Sequence, residues 1–375
     1  MELFGTLCVL YVLQCLVWLP RGGCVFAGAL FGRVVWTGPG LRLLDLLPTS
    51  RSQVAFRFPL AVRAGSLTSP GRATWLAPDR NDADAVDLTA LCEASADGSL
   101  VRVEGRAFAR GADARHAKRI EALLREIGDA APRERRAVVE RAFDESLSLP
   151  AFSSAHGHFD TATRLLAWTT HAYGLALFAF LPAVAFTFGT ERSLVAVLPV
   201  LAVLHVATLW CYARADRALR PAKRSERLQA ALGAAVYPPS LLRAHSHLRS
   251  STLAAFHPGA VAVGLLPRPR ARDFLRAEIA HATARLQEPV CPELGFSLVE
   301  VEVRALWRLI EEFGEATTLL AAPARIDPLA LSYCPACLCE YRRSEGHCND
   351  CGIAVAVWSD DVRSEEETRQ HGRSR

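Results

Sequence analysis

The sequence predicts an α+β multi-domain membrane protein, and three observations lead to this fold class. Two long apolar runs, Leu165–Phe188 and Leu194–Tyr212, are separated only by Gly189–Ser193. Stretches rich in β-branched and aromatic residues precede these runs, and helical periodicities occur on both sides of them. Hydrophobic residues make up 51% of the chain, a share that fits a membrane protein with polar domains better than a soluble enzyme.

The two apolar runs predict a transmembrane helical hairpin over residues 165–212. Neither run contains Asp, Glu, Lys or Arg, and about 20 apolar residues in a helix span a hydrocarbon core of ~30 Å. A short joint between two such runs requires antiparallel helices, because lipid offers the backbone no other partners. The alternative is a buried hairpin in a soluble domain, but core helices are seldom apolar on every side.

A third apolar run, Leu3–Leu19, predicts an N-terminal transmembrane anchor over residues 1–21. Glu2 stands where a signal peptide would carry positive charge, so we expect the anchor to be retained. Basic residues crowd the exit of the second hairpin run, whereas Arg192 at the hairpin tip is offset by Glu191. The positive-inside rule therefore places the N-terminus and the tip outside a bacterial inner membrane, and both large polar parts in the cytoplasm.

The polar part before the hairpin, residues 22–160, predicts an α+β cytoplasmic domain. Its β-rich stretches are Arg33–Trp36, Gln53–Val62 and Leu100–Phe108. Two helices follow at about 114–127 and 132–147, where apolar residues recur at helical spacing and Pro132 suits a first turn. We expect the charged residues of the second helix to face solvent or lipid headgroups.

The part after the hairpin, residues 213–325, predicts a mostly helical cytoplasmic region. It begins with a basic amphipathic stretch that we expect to lie on the anionic inner leaflet. The apolar segment 251–266 contains Pro258-Gly259, so it is either re-entrant or buried in protein. Helices are predicted at 270–286 and 299–320, and the polar residues 359–375 predict a disordered tail.

Four of the eleven cysteines form two C-x2-C pairs with ten residues, 338–347, between them. The pairs are Cys334/Cys337 and Cys348/Cys351, and four thiolates at this spacing suit a tetrahedral Zn²⁺ ion. Several of the other cysteines lie inside apolar runs, so the cysteines do not indicate the disulfide framework of a secreted domain.

Residues 332–357 resemble a zinc ribbon with rubredoxin-like knuckles, and we predict a zinc ribbon domain over residues 330–358. The resemblance implies that Cys334, Cys337, Cys348 and Cys351 are the four ligands of a structural Zn²⁺ cofactor. Four thiolates leave no open coordination position, so we expect no hydrolytic chemistry there. Leu338 stands where the family commonly has glycine, and Cys339 and His347 are competing ligands; iron is the alternative metal.

Histidines provide the other candidate sites. His156 and His158 precede the hairpin in an H-x-H-x-D pattern, and His245 and His247 form a second H-x-H. His171 and His205 fall within the two hairpin runs at the same predicted depth, where ionisable groups tend to face a partner or a cavity. We favour hydrogen bonding between the helices as their role, and cofactor contact is the alternative.

We expect an integral inner-membrane protein whose ribbon acts as a protein-binding or scaffold module for an unidentified cytoplasmic partner. The alternative is a membrane-embedded enzyme or transport accessory that uses His171/His205 or His156/His158. No P-loop, nucleophile elbow or H-E-x-x-H motif occurs, which favours a non-enzymatic role. The net charge of +4 over 375 residues is mild, and acidic residues flank Tyr341–Arg343, which argues against nucleic acid.

Overall fold

The structure is a computed structural model that describes most of the chain after residue 86 and short parts of the chain before it. The described residues are 23–26, 34–36, 52–54, 58–63, 66–68, 86–111, 113–219, 232, 238–287, 290–314, 316, 319 and 321–358. The predicted anchor over 1–21, the predicted tail over 359–375 and the basic stretch that follows Leu219 lie outside these residues. The described part is mostly helical and carries small sheets.

The strands of the described residues form four small sheets. The N-terminal sheet has the order β2-β1-β3, with β2 antiparallel and β3 parallel to β1. β4 and β5 form a hairpin, β6, β7 and β8 form an antiparallel meander, and β9 is the centre of the sheet β10-β9-β11. The bounds are β1 Gly23–Phe26, β2 Val34–Trp36, β3 Ser52–Val54, β4 Ala61–Arg63, β5 Ser66–Thr68, β6 Ser95–Asp97, β7 Leu100–Val103, β8 Arg106–Arg110, β9 Ser332–Tyr333, β10 Glu340–Tyr341 and β11 Ala356–Val357.

Nine α-helices make up most of the described residues. Their bounds are α1 Ala114–Asp129, α2 Pro132–Leu147, α3 Leu149–Leu175, α4 Leu181–Phe188, α5 Thr190–Leu219, α6 Pro238–Leu253, α7 Pro258–Leu265, α8 Arg268–Ala284 and α9 Leu298–Phe313. The predicted helices at 114–127 and 132–147 are confirmed. The side chain of Asp113 caps the start of the first, and Pro132 occupies the first turn of the second. α9 ends earlier than predicted, because Gly314 adopts a left-handed conformation after Phe313.

The largest hydrophobic core draws on both sides of the apolar hairpin. Buried side chains of the β6–β8 meander, α1 and α2 lie in one cluster with buried side chains of α8 and α9. Ion pairs join the same elements across the surface, since Arg136 of α2 pairs with Glu300 of α9, and Arg304 of α9 pairs with Glu140 of α2. The charged face of α2 is therefore paired with α9, and is not only a solvated surface.

The two apolar runs form an antiparallel helical hairpin. α3 continues through a π-helical turn, Ala176–Phe180, into α4, and α5 returns along them. The π-turn lies just before Pro182, whose ring would clash with the carbonyl four residues earlier in a regular α-helix. Gly189, with φ of 81°, is the only residue between α4 and α5, so the joint is tighter than the predicted Gly189–Ser193.

One helix in the described part of the chain is long and apolar enough to cross a membrane. It is the Val195–Leu219 part of α5, and only 22% of its apolar window is buried in the protein. The first apolar run is divided among the end of α3, the π-turn and α4, and α3 begins with polar turns. Twelve of the large exposed hydrophobic side chains lie between Leu165 and Trp210, on the two arms of the hairpin.

The apolar segment 251–266 is packed inside the protein. α6 ends at Leu253, and α7 buries Ala260, Val261 and Ala262 among side chains of α3 and α8. His257 caps α7, because its Nδ1 accepts a hydrogen bond from the amide of Gly259 at 3.1 Å. Of the two predicted alternatives for this segment, the structure therefore has a buried helix.

Candidate metal centre

The four paired cysteines are held by the C-terminal sheet and two matching turns. β9 pairs with β10 on one side and with β11 on the other, which places the two turns at one end of the sheet. In the first turn the carbonyl of Cys334 accepts from the amide of Leu338, and in the second the carbonyl of Cys348 accepts from the amide of Gly352, both at 2.9 Å. The sequence therefore folds into two equivalent knuckles.

Both knuckles need a left-handed residue directly after the second cysteine. Gly352 has φ of 69° and Leu338 has φ of 63°. Glycine adopts this conformation without cost, whereas a residue with a side chain pays roughly 1–2 kcal/mol. Leu338 therefore adopts the same left-handed conformation as Gly352, at some cost in strain.

The four sulfur atoms lie within metal-binding distance of one another. All are within 4.8 Å of each other, and the Sγ atoms of Cys337 and Cys348 are 3.6 Å apart. A tetrahedral ion with Zn–S bonds of about 2.3 Å would hold its sulfurs about 3.8 Å apart. Cys334, Cys337, Cys348 and Cys351 therefore fit a four-coordinate metal ion, as the spacing predicted.

Hydrogen bonds to sulfur distinguish one of the four thiols. The hydroxyl of Tyr341 donates to Sγ of Cys348 at 3.0 Å, and the amide of Cys351 donates to the same atom at 3.3 Å. Burial acts to raise the pKa of Cys348, but these donors outweigh it and lower that pKa to about 6. Burial raises the pKa of Cys334 to about 11, and it raises the pKa values of Cys337 and Cys351 too.

These opposite pKa shifts indicate which of the four thiols is most readily ionised. At neutral pH the protein itself stabilises one thiolate, at Cys348. Burial disfavours the charged form of the other three thiols, and a bound cation would supply the positive charge that favours it. The cluster is therefore suited to a bound cation more than to free thiolate chemistry.

The cysteine cluster packs against helix α8. Ala277 of α8 is buried together with Cys334, Ala336, Cys348 and Ile353 in one hydrophobic cluster, and Ala280 lies at its margin. Small alanine side chains on α8 let the knuckles approach the helix closely. The C-terminal sheet is therefore attached to the helical part of the protein through the same residues that surround the sulfur atoms.

Compared with models of protein families, with curated proteins and with solved structures, the chain shows no match. The likeness of residues 332–357 to a zinc ribbon thus depends on the cysteine spacing and on the geometry of the cluster. That geometry supports a cysteine knuckle that could bind a metal ion.

The predicted competitors of the four cysteines are not among the four grouped thiols, although Cys339 contacts Cys337. Cys339 is exposed, and its carbonyl accepts from the amide of Cys334 at 2.9 Å. His347 is exposed, and its carbonyl accepts from the guanidinium of Arg343 at 2.6 Å. Neither side chain is among the groups that the structure brings together as a potential metal site.

The H-x-H pairs do not converge on one point, because residues two apart on a helix face different directions. His156 lies on α3 beside Asp160, with 3.5 Å between Nε2 and Oδ2, and it stacks on Phe152. His158 instead lines a cavity between α1, α3 and α6. His245 and His247 lie two apart on α6 in the same way.

The two hairpin histidines have separate partners. The ring of His205 contacts the ring of Tyr173 on the opposite arm, with 6.0 Å between centroids. His171 is exposed, and its Nδ1 lies 2.6 Å from the carbonyl of Ala167 one turn earlier in α3. The predicted hydrogen bond between the arms is therefore absent from the contacts of the described residues, and an aromatic contact occupies that level.

Two features of the site were not predicted from the sequence. The sequence predicts no role for Tyr341 at the metal centre, whereas in the structure its hydroxyl donates to a cysteine sulfur. Its position in the loop between the pairs, seven residues before Cys348, is the only signal that could have suggested this role. The packing of Ala277 on the knuckles leaves no sequence signal, because alanine fits any helix face.

Proposed function

We propose that this chain is a multi-pass inner-membrane protein whose cytoplasmic zinc ribbon acts as a protein-binding or scaffold module. The observation that carries the proposal is a group of exposed apolar side chains in and next to the ribbon, on the same small sheet as four clustered cysteines that would leave a bound ion no open coordination position. A rigid, metal-clamped surface of this kind suits recognition of a protein partner better than catalysis.

The exposed surface of the hairpin supports membrane insertion. Trp168, Phe186 and Val195 are 70%, 97% and 77% exposed, and apolar neighbours continue this surface along both arms. Contiguous apolar surface of this extent is rare on soluble proteins and indicates contact with lipid or another protein. The anchor at 1–21 would add a third span.

The shared hydrophobic core supports the predicted topology. Both ends of an antiparallel hairpin emerge on the same side of a membrane, and here the parts before and after the hairpin pack together in one core. Arg214 and Arg217 at the end of α5 favour the cytoplasm for that side. Reduced thiols also persist in the cytoplasm, as a four-thiolate metal site requires.

Zinc is the metal that the donor set favours. Four thiolates in a tetrahedral arrangement are typical of structural zinc sites, and an ion held by four sulfurs has no position left for substrate or water. When bound, the ion would supply the positive charge that keeps all four cysteines ionised. Tyr341 would orient Cys348 from outside the ligand set.

We define the ribbon rim as Ile326, Leu329, Leu331 and Val357, which are 87%, 63%, 44% and 37% exposed. Leu331 and Val357 lie at the end of the C-terminal sheet opposite the two knuckles. The amide of Leu331 donates to Tyr341, and Val357 is paired with Ser332. The carboxylate of Glu340 accepts from the amides of Ile326 and Asp327, at 2.6 and 2.7 Å. Apolar side chains on so fixed a backbone are suitable anchors for a partner.

The first test is metal content together with membrane attachment. We expect one zinc ion per chain in the detergent-purified protein, lost in Cys337→Ser and retained in Cys339→Ser, which removes a thiol outside the cluster. We also expect the wild-type chain to stay in the membrane pellet after alkaline carbonate washing. A chain without metal would refute the ribbon, and release by carbonate would refute membrane insertion.

The second test addresses the partner. A photo-crosslinking residue is placed at Ile326 or Leu329 of the full chain in intact membranes, with the exposed Ser344 and Glu345 in the loop between the knuckles as controls. We expect one adduct of constant mass from the rim positions, dependent on Cys337. Equal adducts at rim and control positions, or none at any position, would overturn the scaffold proposal.

One observation favours the alternative, a membrane enzyme or transport accessory that uses the hairpin histidines. Nδ1 of His205 is shielded from solvent and has no hydrogen-bond partner among the described residues. Such a group inside a membrane segment is a candidate for contact with an ion or cofactor. A second metal or a haem absorbance that disappears in His205→Ala but persists in Cys337→Ser would establish this alternative.

A further inference from the structure

A cavity of about 240 Å³ lies where α1, α3, α5 and α6 meet. Its wall combines two arginines, two histidines, two hydroxyl groups and one carboxylate with apolar side chains. The polar residues that line it are Asp113, Arg115, His116, Arg119, His158, Ser251 and Thr252. A mixed wall of cationic, hydroxyl and apolar groups is suited to an amphipathic anion.

We propose that this cavity binds the phosphate headgroup of an anionic phospholipid of the inner leaflet. The chemistry it recognises is a phosphate oxyanion, and its position at the base of the hairpin selects a lipid as the source. This proposal relies on the membrane insertion proposed above.

The charges of the cavity favour an anion. Arg115 and Arg119 are one turn apart on α1, so their guanidinium groups can approach one ligand together. Arg115 also donates to the carbonyl of Leu219 at 3.4 Å, which directs it toward the end of α5. Asp113 is the one carboxylate among the lining residues, and its Oδ1 accepts from the amide of His116 at 2.8 Å.

An unsatisfied hydroxyl marks a place for a ligand. Ser251 lines the cavity, and its Oγ is shielded from solvent without a hydrogen-bond partner among the described residues. The neighbouring hydroxyl of Thr252 is used differently, since it donates to the carbonyl of Leu248 at 3.1 Å. A rotation of the Ser251 side chain about Cα–Cβ would turn this hydroxyl into the cavity, where a phosphate oxygen could accept its hydrogen.

The cavity lies just outside the lipid headgroup layer. Leu219 lies seven residues beyond the apolar run that ends at Tyr212, and His158 lies seven residues before the run that begins at Leu165. At ~1.5 Å per residue both are about 10 Å outside the hydrocarbon core. The headgroup layer occupies roughly the first 5–8 Å beyond that core, so a gap of about 2–5 Å remains, which a long arginine side chain can bridge.

The size of the cavity also fits this ligand. Sites for drug-sized ligands enclose ~300–1,000 Å³, and the cavity here, at about 240 Å³, is smaller. It can hold a phosphate with its glycerol while the acyl chains remain in the bilayer. Leu219, Leu248 and Phe256 give the cavity an apolar side on which the start of an acyl chain can lie.

The test is titration of the detergent-purified full chain with short-chain phosphatidylglycerol, followed by native mass spectrometry. We expect Arg115→Gln/Arg119→Gln to weaken binding by at least about tenfold, because two charge-assisted hydrogen bonds are lost. Ser251→Ala should weaken it by about threefold to tenfold. The control Arg133→Gln/Arg270→Gln removes the same charge from exposed positions outside the cavity and should change binding by less than about twofold.

Three outcomes would overturn the proposal. They are equal binding of phosphatidylcholine, an equal loss in the control variant, and displacement of the lipid by equimolar inorganic phosphate, which would make free phosphate the ligand. Carbonate washing of the same variants reports membrane insertion separately. Release of the wild-type chain would refute the proposed function, whereas the titration alone decides whether the cavity binds an anionic lipid.

Discussion

The imidazole of His257 is joined to the carboxylate of Glu302, with 3.6 Å between Nε2 and Oε1. Nδ1 of the same ring accepts from the amide of Gly259, so Nε2 carries the proton that faces Glu302. The other oxygen of Glu302 accepts from Arg285 at 2.8 Å. This buried histidine therefore connects the start of α7 with α9 and with the turn that follows α8.

His257→Ala should lower the free energy of unfolding by about 2–4 kcal/mol. The substitution removes the cap of α7 and leaves a mostly buried carboxylate with one partner fewer. Thermal unfolding of the purified protein in detergent measures the effect. The control His158→Ala removes an exposed histidine from α3 and should leave the melting temperature nearly unchanged. Equal melting of both variants would contradict a structural role for His257.

Tyr341→Phe should make the bound metal about 10- to 100-fold easier to extract. The substitution keeps the ring and removes only the hydroxyl that donates to Cys348, and hydrogen bonds to metal ligands contribute about this much to metal affinity. The rate of zinc transfer to a colorimetric chelator is the measurement.

The matched control is Tyr333→Phe in the same ribbon. Tyr333 packs against Trp358 at 5.0 Å between ring centroids, and its hydroxyl contacts no cysteine sulfur among the described residues. It should release zinc at the wild-type rate. Faster release from both variants would mean that loosening of the ribbon, and not the bond to Cys348, controls metal retention.

Local patterns could be predicted from the sequence. The two C-x2-C pairs predicted the cysteine cluster, because each knuckle is built by hydrogen bonds within five residues of its first cysteine. The helices that begin at Ala114 and Pro132 were also predicted, since their caps and apolar stripes are local. In each case the determining contacts lie close together along the chain.

Contacts between distant residues could not be predicted. Nothing in the pattern of α2 identifies Glu300 as the partner of Arg136, and nothing in the pattern of α8 identifies Ala277 as the residue against which the cysteine cluster packs. The hairpin joint was predicted from hydropathy alone, which does not report that Thr190 already belongs to the second helix. The predicted domain boundaries stay predictions. They separate the parts before and after the hairpin, and so do not describe the hydrophobic core that these two parts share.

Acid should destabilise the junction between α3 and α6 through His245. Burial, together with Arg249 and His171, lowers the pKa of His245 from 6.5 to about 4. Between these two values the unfolded chain binds a proton that the folded chain does not, so stability falls as the pH decreases from about 6.5 to 4. The loss is at most about 3 kcal/mol.

Melting temperatures of the wild type and of His245→Phe, recorded from pH 7 to pH 4, measure this effect. Phenylalanine can keep the edge contact that His245 makes with Phe159, at 5.3 Å between ring centroids, and it cannot bind a proton. The variant should lose less stability over this range than the wild type. His247→Phe, on the exposed side of the same helix, should keep the wild-type dependence, and parallel curves for all three proteins would contradict the assignment.

Gly264 sets how closely α7 approaches the hairpin helix α3. A Cβ atom at this position would lie 2.2 Å from Cε1 and 2.5 Å from Cδ1 of Phe152, whose side chain is 1% exposed and cannot move aside. Gly264→Ala should therefore lower the free energy of unfolding by about 1–3 kcal/mol through overpacking. Gly157→Ala is the control on α3, where a Cβ meets nothing within 4 Å, and helix propensity should make it neutral or stabilising by up to about 1 kcal/mol. If both glycines tolerate alanine equally well, α7 does not pack against α3 as tightly as the structure has it, and the base of the hairpin is less firmly attached to the helical region.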